Sequence, residues 1–322
     1  MEKKDLRIVF MGTPEFAVET LKALVENEYN VVAVVTQPDK AVGRHQTEVQ
    51  PSEVKKFALE HHLPVLQPEK MKDPAFINQL RSYKANLQVV VAFRMLPEAV
   101  WDMPQYGTFN VHAALLPQYR GAAPINWAII NGDTETGITT FFLDEQIDTG
   151  RIILQERTPI TPDDCAEDVH DKLMMQGAEL VIKTVRLIES GQATATDQSQ
   201  FMTDEPLRPA PKIFKDTCQV KWQEHTLESA YNFIRGLSPY PAAWTPVIAN
   251  GKETEMKIFR ATMLPEAKYT SPYKGEVGRG SDFLHIELPG GYLSLDEVQL
   301  SGKKRMPIAD LLRGTHIEII KN

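Results

Sequence analysis

Short apolar runs rich in β-branched residues recur along the first half of the chain, at residues 6–11, 31–35, 87–92, 107–112 and 137–142. Such runs are typical of strands that are buried on both faces. An apolar stripe with helical spacing predicts helices at 17–27, 52–59 and 166–189, and Ser52 is the expected N-cap of the second. Strands that alternate with helices predict an α/β fold with a mostly parallel, doubly wound sheet.

The pattern changes after residue 190. Residues 191–216 are rich in Gln, Thr, Ala, Asp and Pro, and they are interpreted as a linker. A helix is predicted at 227–235, followed by short alternating segments at 244–249, 256–261, 275–279, 284–288 and 292–298. Short strands at this spacing favour a small β-barrel. We therefore expect a catalytic domain at 1–190, a linker at 191–216 and a second domain at 217–322.

Length and composition narrow the class of protein. A chain of 322 residues usually forms two domains. It has no apolar run long enough to span a membrane and no apolar segment at its N-terminus, so we expect a cytoplasmic protein. The two cysteines, Cys165 and Cys218, lie far apart and outside any metal-ligand spacing, so neither a disulfide nor a bound metal is expected. His61 and His62 are adjacent and are interpreted as a solvated helix end.

The charge distribution is only weakly informative about partners. The net charge is −8, yet residues 208–322 carry 16 Lys or Arg against 13 Asp or Glu. Lys303, Lys304 and Arg305 form the basic cluster of this part. Phosphate backbones attract such clusters, but a short basic run is also typical of a solvated turn. Composition alone does not indicate a nucleic-acid-binding protein.

Three polar residues combine into a candidate catalytic set. Asn110 and His112 lie at the end of a predicted strand, and Asp148 follows the next one. Ligands bind at the carboxyl ends of strands in open α/β sheets. His exchanges protons near neutrality, Asp stabilises its charged form, and the Asn amide donates to a developing oxyanion. No Ser or Cys nucleophile lies beside them, which favours direct transfer of a group such as a formyl to an amine. The alternative is a strand-end histidine with one backbone hydrogen bond.

The loop after the first strand argues against a nicotinamide cofactor. It reads Gly12-Thr13-Pro14-Glu15-Phe16 and lacks the Gly-x-Gly-x-x-Gly pattern. Pro14 also removes an amide that a phosphate would need. Phe16 either lines an apolar substrate pocket or packs in the core.

Longer motifs carry a family resemblance. They are Asn-x-His-x-x-Leu-Leu-Pro at 110–117, Tyr-Arg-Gly-Ala-Ala-Pro-Ile at 119–125 and Asp-Thr-Gly at 148–150, with further segments at 10–16, 36–39 and 238–244. Together they resemble the formyltransferase family that uses 10-formyltetrahydrofolate, over residues 6 to about 312. The branch that formylates the α-amine of methionyl initiator tRNA is the most similar. The resemblance implies a monomer without a metal, and a C-terminal domain that is OB-like and helps to hold tRNA.

The resemblance also implies roles for individual residues. Asn110, His112 and Asp148 would be catalytic. The reduced folate would be held by residues of three segments, which are Phe93, Arg94, Met95, Leu96, Ala114, Leu115, Leu116, Pro117, Asp144 and Ile147. The aminoacyl and tRNA parts of the substrate would contact Phe16, Arg44, Arg120, Lys303, Lys304 and Arg305. For Arg120, a structural salt bridge is an equal alternative.

Two positions depart from the family pattern. After residue 42 the family continues with a Gly-Arg-Gly-Lys-Lys-like sequence, whereas this chain reads Gly43-Arg44-His45-Gln46-Thr47-Glu48. The missing lysines predict a weaker electrostatic contact with tRNA. Ala114 replaces the serine of the family's Ser-Leu-Leu-Pro motif, so one hydroxyl near the expected folate site is missing.

Three other functions fit the same residues. The acceptor could be an amino-sugar nucleotide, since formyltransferases for such sugars share the Asn, His and Asp constellation. Water could be the acceptor, which would make the protein a hydrolase that releases formate. A tRNA-binding protein without turnover is the third alternative.

Overall fold

The computed structural model describes residues 2–42, 48–265, 277–279 and 282–321. The α-helices of these residues are, in chain order, α1 Glu15–Glu26, α2 Glu53–Glu60, α3 Pro74–Ser82, α4 Glu98–Trp101, α5 Pro124–Ile130, α6 Ala166–Glu189, α7 Leu227–Leu237 and α8 Ile308–Leu312. The strands are β1 Arg7–Gly12, β2 Asn30–Val35, β3 Lys40–Val42, β4 Glu48–Gln50, β5 Val65–Leu66, β6 Leu87–Val91, β7 Thr108–His112, β8 Glu135–Phe142, β9 Ile152–Pro159, β10 Ala243–Ala249, β11 Lys252–Pro265, β12 Val277–Arg279, β13 Leu284–Leu288, β14 Gly291–Leu300, β15 Met306–Pro307 and β16 Ile317–Ile319. Across the described ranges, no helix is both long and apolar enough to cross a membrane.

The chain divides into two compact units. Unit 1 contains the residues through Gly121, together with Thr136–Thr158 and His170–Pro209. Unit 2 contains Ala122–Glu135, Pro159–Val169 and the chain from Ala210 onward. The two units are described separately below.

Unit 1 is built on a seven-stranded sheet with the order β5-β2-β1-β6-β7-β8-β9. The strands from β5 to β7 are parallel to their neighbours, and β8 is antiparallel to β7. The chain moves outward from β1 to β2 on one side and later to β6 on the other. Such a change of direction leaves a crevice at the carboxyl ends of the strands. The predicted mostly parallel α/β sheet is confirmed.

Buried apolar residues explain why these segments form the sheet. Val89, Val91 and Phe10 have no exposed surface, as expected for strands covered on both faces. The Ser52 side chain accepts a hydrogen bond from the Lys55 backbone N–H at 3.1 Å and caps α2, as predicted. The predicted bounds of the long helix coincide with those of α6, and the two histidines after α2 are exposed.

Several short elements had not been predicted. Helix α3 begins at Pro74 behind the Asp73 N-cap, and it buries only Phe76 and Leu80. The edge strand β9 is half polar, with the sequence Ile-Ile-Leu-Gln-Glu-Arg-Thr-Pro. Both elements lack the long apolar pattern that identifies an element from sequence alone.

Unit 2 is dominated by an antiparallel sheet with the order β12-β13-β14-β11-β10-β16, and β15 pairs with β14. Its longest strand, β11, changes register against β14 between Ile258 and Ala261. Such irregularities bend a strand and raise its twist, so the sheet curls around a core. That core contains the fully buried Trp222 and the apolar face of α7. The predicted small, barrel-like β fold is confirmed for the described residues, whereas 275–276 lie outside them.

Candidate active site

Asn110 and His112 lie on the same face of β7, because side chains two residues apart in a strand point the same way. His112 is the last residue of the strand, and it pairs in register with Thr139 of β8. The sheet therefore places His112 at the carboxyl end of β7, with Asn110 two residues before it on the same face. The imidazole is 6% exposed.

Both nitrogens of the His112 ring have an oxygen neighbour. Nε2 lies 2.8 Å from the backbone carbonyl oxygen of Tyr119. Because a carbonyl oxygen only accepts hydrogen bonds, Nε2 must carry the hydrogen and donate it. Nδ1 lies 3.8 Å from Oδ2 of Asp148, an ion-pair distance longer than a direct hydrogen bond. The backbone hydrogen bond and the carboxylate partner considered as alternatives in the sequence are thus both present.

Asp148 lies in the loop between β8 and β9 and is held by backbone contacts. Its Oδ2 accepts a hydrogen bond from the Gly121 N–H at 2.9 Å. Its own φ is +55°, a left-handed conformation that is unfavourable for a residue with a Cβ. A Cβ on Gly150 would lie 1.6 Å from the carbonyl oxygen of Phe142, so only glycine fits there. The Asp-Thr-Gly motif therefore has a steric cause as well as a chemical one.

Asn110 has an unsatisfied polar atom. Its Oδ1 is buried and has no hydrogen-bond partner within the described part of the chain. Leaving such a group unsatisfied costs about 1–3 kcal/mol, and an exception of this kind in a folded protein needs an explanation. A bound ligand that donates a hydrogen to Oδ1 would supply one.

The segment Ala114–Pro117 follows β7 and is anchored by two polar side chains. The Thr139 hydroxyl donates to the Ala114 carbonyl at 2.6 Å and accepts from the Leu116 N–H at 3.2 Å. Nε2 of Gln155 donates to the Leu116 carbonyl at 2.7 Å. The backbone of this segment is thus fixed by side chains that lie outside it. Leu115 is half-buried, and Pro117 is buried.

The other segments expected to hold folate are more exposed. Arg94 donates to the backbone carbonyls of Pro68 and Glu69, and burial lowers the pKa of its guanidinium. Phe93 is half-buried and Leu96 is buried, while Met95 is 71% exposed. This segment therefore presents both a buried anchor and an accessible apolar side chain.

The loop that precedes Asp148 also combines a hydrogen-bonded anchor with an exposed apolar side chain. Asp144 Oδ1 accepts hydrogen bonds from the Gln146 N–H and from the Thr149 hydroxyl, at 3.0 and 2.7 Å. These contacts close a turn within the loop. Ile147 is 57% exposed at its tip.

The residues expected to contact the aminoacyl group or tRNA belong to different parts of the chain. Phe16 is buried. Its ring lies edge-on to the ring of His170, and the two ring centres are 5.2 Å apart. Arg120 donates to the side-chain oxygen of Gln198 rather than to a carboxylate. Arg44 lies outside the described residues.

The basic cluster belongs to unit 2, where its three residues are exposed. Nζ of Lys303 donates to the Thr315 hydroxyl at 2.9 Å. Arg305 forms an ion pair with Glu297 at 2.6 Å, and its guanidinium lies over the Phe259 ring. Lys304 is therefore the cation of this cluster with the fewest local contacts.

Sequence reasoning missed several groups that shape this site. Tyr119 belongs to a motif that the sequence shows, but what it contributes is a backbone carbonyl, for which a sequence carries no signal. Thr139 and Gln198 are ordinary polar residues in a strand and in a segment interpreted as a linker. Their burial, at 0% and 4% exposure, becomes evident only in the folded chain.

Comparisons with known proteins show the family to which the chain belongs. Residues 6–185 match the family described as formyl transferase, and residues 212–316 match the formyl transferase C-terminal domain. A methionyl-tRNA formyltransferase of Parabacteroides distasonis is 56% identical over 316 residues, which is 98% of this chain and 97% of the relative. One of Flavobacterium johnsoniae is 48% identical over 314 residues, with the same shares covered.

Solved structures with a similar fold are more distant in sequence. The sugar 3N-formyl transferase WlaRD has a TM-score of 0.65 at 19% identity, covering 94% of this chain and all 100% of its own. HypX from Aquifex aeolicus, solved with tetrahydrofolic acid, has a TM-score of 0.63 at 18% identity and covers 95% of this chain but 47% of its own. At these identities the likeness concerns the fold. Because the family matches span most of both units, this chain belongs to the formyltransferase family.

Proposed function

We propose that this protein transfers the formyl group of 10-formyltetrahydrofolate to the free α-amino group of methionyl initiator tRNA. The observation that carries the choice of acceptor is the identity of 56% to a methionyl-tRNA formyltransferase along 98% of the chain. The arrangement of Asn110, His112 and Asp148 supports the chemistry. When bound, the folate supplies a formyl group on N10 as the electrophile.

The residues present fit a reduced folate. The buried Oδ1 of Asn110 offers an acceptor for an N–H group of a ligand. The carbonyls and amides of Ala114–Pro117 belong to a backbone segment that Thr139 and Gln155 hold in place. Ring systems with polar edges bind in clefts where such fixed groups accompany apolar side chains. Met95 and Ile147 are exposed apolar residues of the predicted folate segments.

Asn110 would stabilise negative charge on the formyl oxygen. Its Nδ2 donates hydrogen bonds without adding charge, which suits an oxygen that becomes negative as the amine attacks. Since such donors act on the transition state more than on the bound substrate, their removal lowers turnover.

His112 and Asp148 would manage the proton. One proton leaves the amine as the new carbon–nitrogen bond forms, and one must reach the departing nitrogen. Because Nε2 of His112 donates to the Tyr119 carbonyl, Nδ1 is the nitrogen that gains and loses this proton. The Asp148 carboxylate, 3.8 Å away, stabilises the positive charge that Nδ1 acquires.

We also propose a division of labour along the chain. Residues 1–190 would carry the chemistry, 191–216 would link the parts, and 217–322 would hold tRNA, with Lys303, Lys304 and Arg305 near the phosphate backbone. The exposed position of this cluster supports such a contact. The protein would act as a monomer in the cytoplasm, which light scattering and cell fractionation would test.

The first experiment measures formyl transfer from 10-formyltetrahydrofolate to charged initiator tRNA. An amino-sugar nucleotide and a reaction without an acceptor run beside it. Formylation of the tRNA alone is the expected result. Formylation of the sugar, or release of formate without an acceptor, would overturn the proposed substrate.

The same assay tests Asn110. Asn110→Ala should lose roughly a hundredfold to a thousandfold in kcat, the usual cost of one oxyanion donor. Asn78→Ala is the matched control, because Asn78 lies exposed on α3 and the change in composition is identical. If the Asn110 variant turns over like the control, Asn110 has no part in the reaction.

A further inference from the structure

Gln198 is a buried polar residue in the segment 191–216, which the sequence predicts to be a linker. It begins a short 3-10 helix, Gln198–Phe201, that follows the Asp197 N-cap. Its side chain is 4% exposed, while Ser199 and Gln200 beside it are exposed. A glutamine is seldom buried to this extent, and when it is, its amide needs partners.

Every hydrogen-bonding group of this amide is used. Nε2 donates to the carbonyl oxygens of Asp148 and Gly150, at 2.9 and 2.8 Å. Oε1 accepts from Nε and Nη2 of Arg120, at 3.2 and 2.7 Å. A glutamine amide has two donor hydrogens and two acceptor lone pairs, so this side chain is saturated.

The two donated bonds fall on a part of the backbone with an uncommon conformation. Asp148 has a φ of +55°, in the left-handed region that glycine and, less often, asparagine and aspartate adopt. The Asp148 carbonyl belongs to the peptide group that follows the Asp148 Cα, and the Gly150 carbonyl lies two residues further along the same loop. The two hydrogen bonds from Gln198 therefore hold the backbone on the C-terminal side of Asp148, next to the carbon that carries its side chain.

The accepted bonds connect the same loop to the chain after β7. Arg120 directly precedes Gly121, whose N–H donates to Oδ2 of Asp148. Gln198 therefore joins Asp148 to Arg120 by side-chain bonds, and Gly121 joins them again through the backbone. Asp148 is thus held both at its backbone carbonyl, by Gln198, and at its carboxylate, by the Gly121 N–H.

We propose that Gln198 is a positioning residue for formyl transfer. It acts by holding the Asp148 carboxylate in the position where Oδ2 faces Nδ1 of His112. This inference rests on the proposed role of Asp148. Misplacing a catalytic group by about 1 Å can cost on the order of a hundredfold in rate. The loss belongs to kcat, because nothing in the proposal places Gln198 in contact with tRNA.

Gln198→Glu removes the hydrogen-bond donors of the side chain and keeps its acceptor. A glutamate has nearly the same shape and still accepts from Arg120, but its carboxylate cannot donate to the two carbonyls. We expect kcat to fall about tenfold to a hundredfold, with the KM for charged tRNA unchanged within about twofold. Gln200→Glu is the matched control, because it makes the same change in the same 3-10 helix at an exposed position. It should keep wild-type kinetics.

A double-mutant cycle distinguishes positioning from general structural damage. If Gln198 acts through Asp148, adding Gln198→Glu to Asp148→Asn should change kcat by less than about threefold, since coupled residues are not additive. Gln198→Met, which fills the same space without polar atoms, provides a second variant should the buried glutamate prevent folding. It should show the same loss of kcat and the same non-additivity.

The outcomes are distinct. Losses that multiply in the double variant, or wild-type kcat in both Gln198 variants while Asp148→Asn is impaired, would overturn the role of Gln198 alone. Wild-type kcat in Asp148→Asn would overturn the proposed role of Asp148, and the role of Gln198 with it. A loss confined to KM would also overturn the inference.

Discussion

Replacing Thr139 with Val removes a hydroxyl from the anchor of the Ala114–Pro117 segment and keeps the side chain's shape. That hydroxyl donates to the Ala114 carbonyl at 2.6 Å, and it accepts from the Leu116 N–H at 3.2 Å and from Nε2 of Gln155 at 2.9 Å. Thr139 is 0% exposed, so water does not replace these partners. At about 0.5–1.5 kcal/mol per bond, the loss of three lowers the free energy of unfolding by about 1.5–4.5 kcal/mol.

Thr20 supplies a matched control. It is also 0% exposed, but its hydroxyl has no hydrogen-bond partner anywhere in the described ranges. Thr20→Val therefore removes a buried polar group that was unsatisfied, and valine and threonine have similar helix propensities. We expect stability to stay constant or to rise by about 1 kcal/mol. The same substitution at the same burial should thus have different effects at the two positions.

Urea unfolding of the two variants measures this difference. Amide hydrogen exchange adds a local test, because the Leu116 N–H loses its acceptor only in Thr139→Val. Since this segment is proposed to bind folate, the KM for 10-formyltetrahydrofolate should rise in Thr139→Val and stay constant in Thr20→Val. Equal destabilisation of the two variants, or unchanged protection of Leu116, would refute the hydrogen-bond argument.

Two further predictions concern unit 2. Burial lowers the pKa of His225 and of His285 below the ordinary histidine value, so the unfolded chain binds more protons than the folded chain between the lowered pKa and about 6.5. The stability that the two neutral histidines contribute is therefore fully present above about pH 6.5 and is lost as the pH falls. Urea unfolding midpoints across this range should show the decrease. His225→Gln or His285→Gln should make the decrease smaller. The binding constant for tRNA falls with salt concentration, and Lys304→Gln should reduce the magnitude of the slope of log K against log salt by about one. Arg305→Gln should lower it less, because Glu297 already pairs with Arg305; equal slopes for both variants would contradict this.

The long apolar patterns made most of the fold predictable. The buried strands and α6 follow from periodicity because each element buries one continuous set of apolar residues. Helix α3 and strand β9 are not predicted because α3 buries only Phe76 and Leu80 and because half of the residues of β9 are polar. A short amphipathic segment such as α3 is marginal alone, and its cap is only weak evidence.

The sequence points to the candidate catalytic residues but not to the residues that hold them in place. Asn110, His112 and Asp148 carry distinctive chemistry within distinctive motifs, so a resemblance can point to them. Gln198 lies 50 residues after Asp148, and its hydrogen bonds depend on where the folded chain returns. In the folded chain, buried donors and acceptors find partners that are distant in sequence. The sequence alone does not show which residues these partners are.

The two sequence-based interpretations of His112 prove to be complementary. From the sequence alone, a strand-end histidine with one backbone hydrogen bond and a proton-transfer residue are alternatives. The hydrogen bond from Nε2 to the Tyr119 carbonyl uses the hydrogen of the neutral ring, which leaves the lone pair on Nδ1. Nδ1 is also the nitrogen that faces Asp148, at 3.8 Å. The structural bond thus fixes the tautomer, and this tautomer lets the ring accept a proton beside a carboxylate. Tyr119 and Asp148, the two residues whose oxygens face the ring nitrogens, both have positive φ, at +59° and +55°. This left-handed backbone is costly for a tyrosine, whereas an aspartate adopts it more readily.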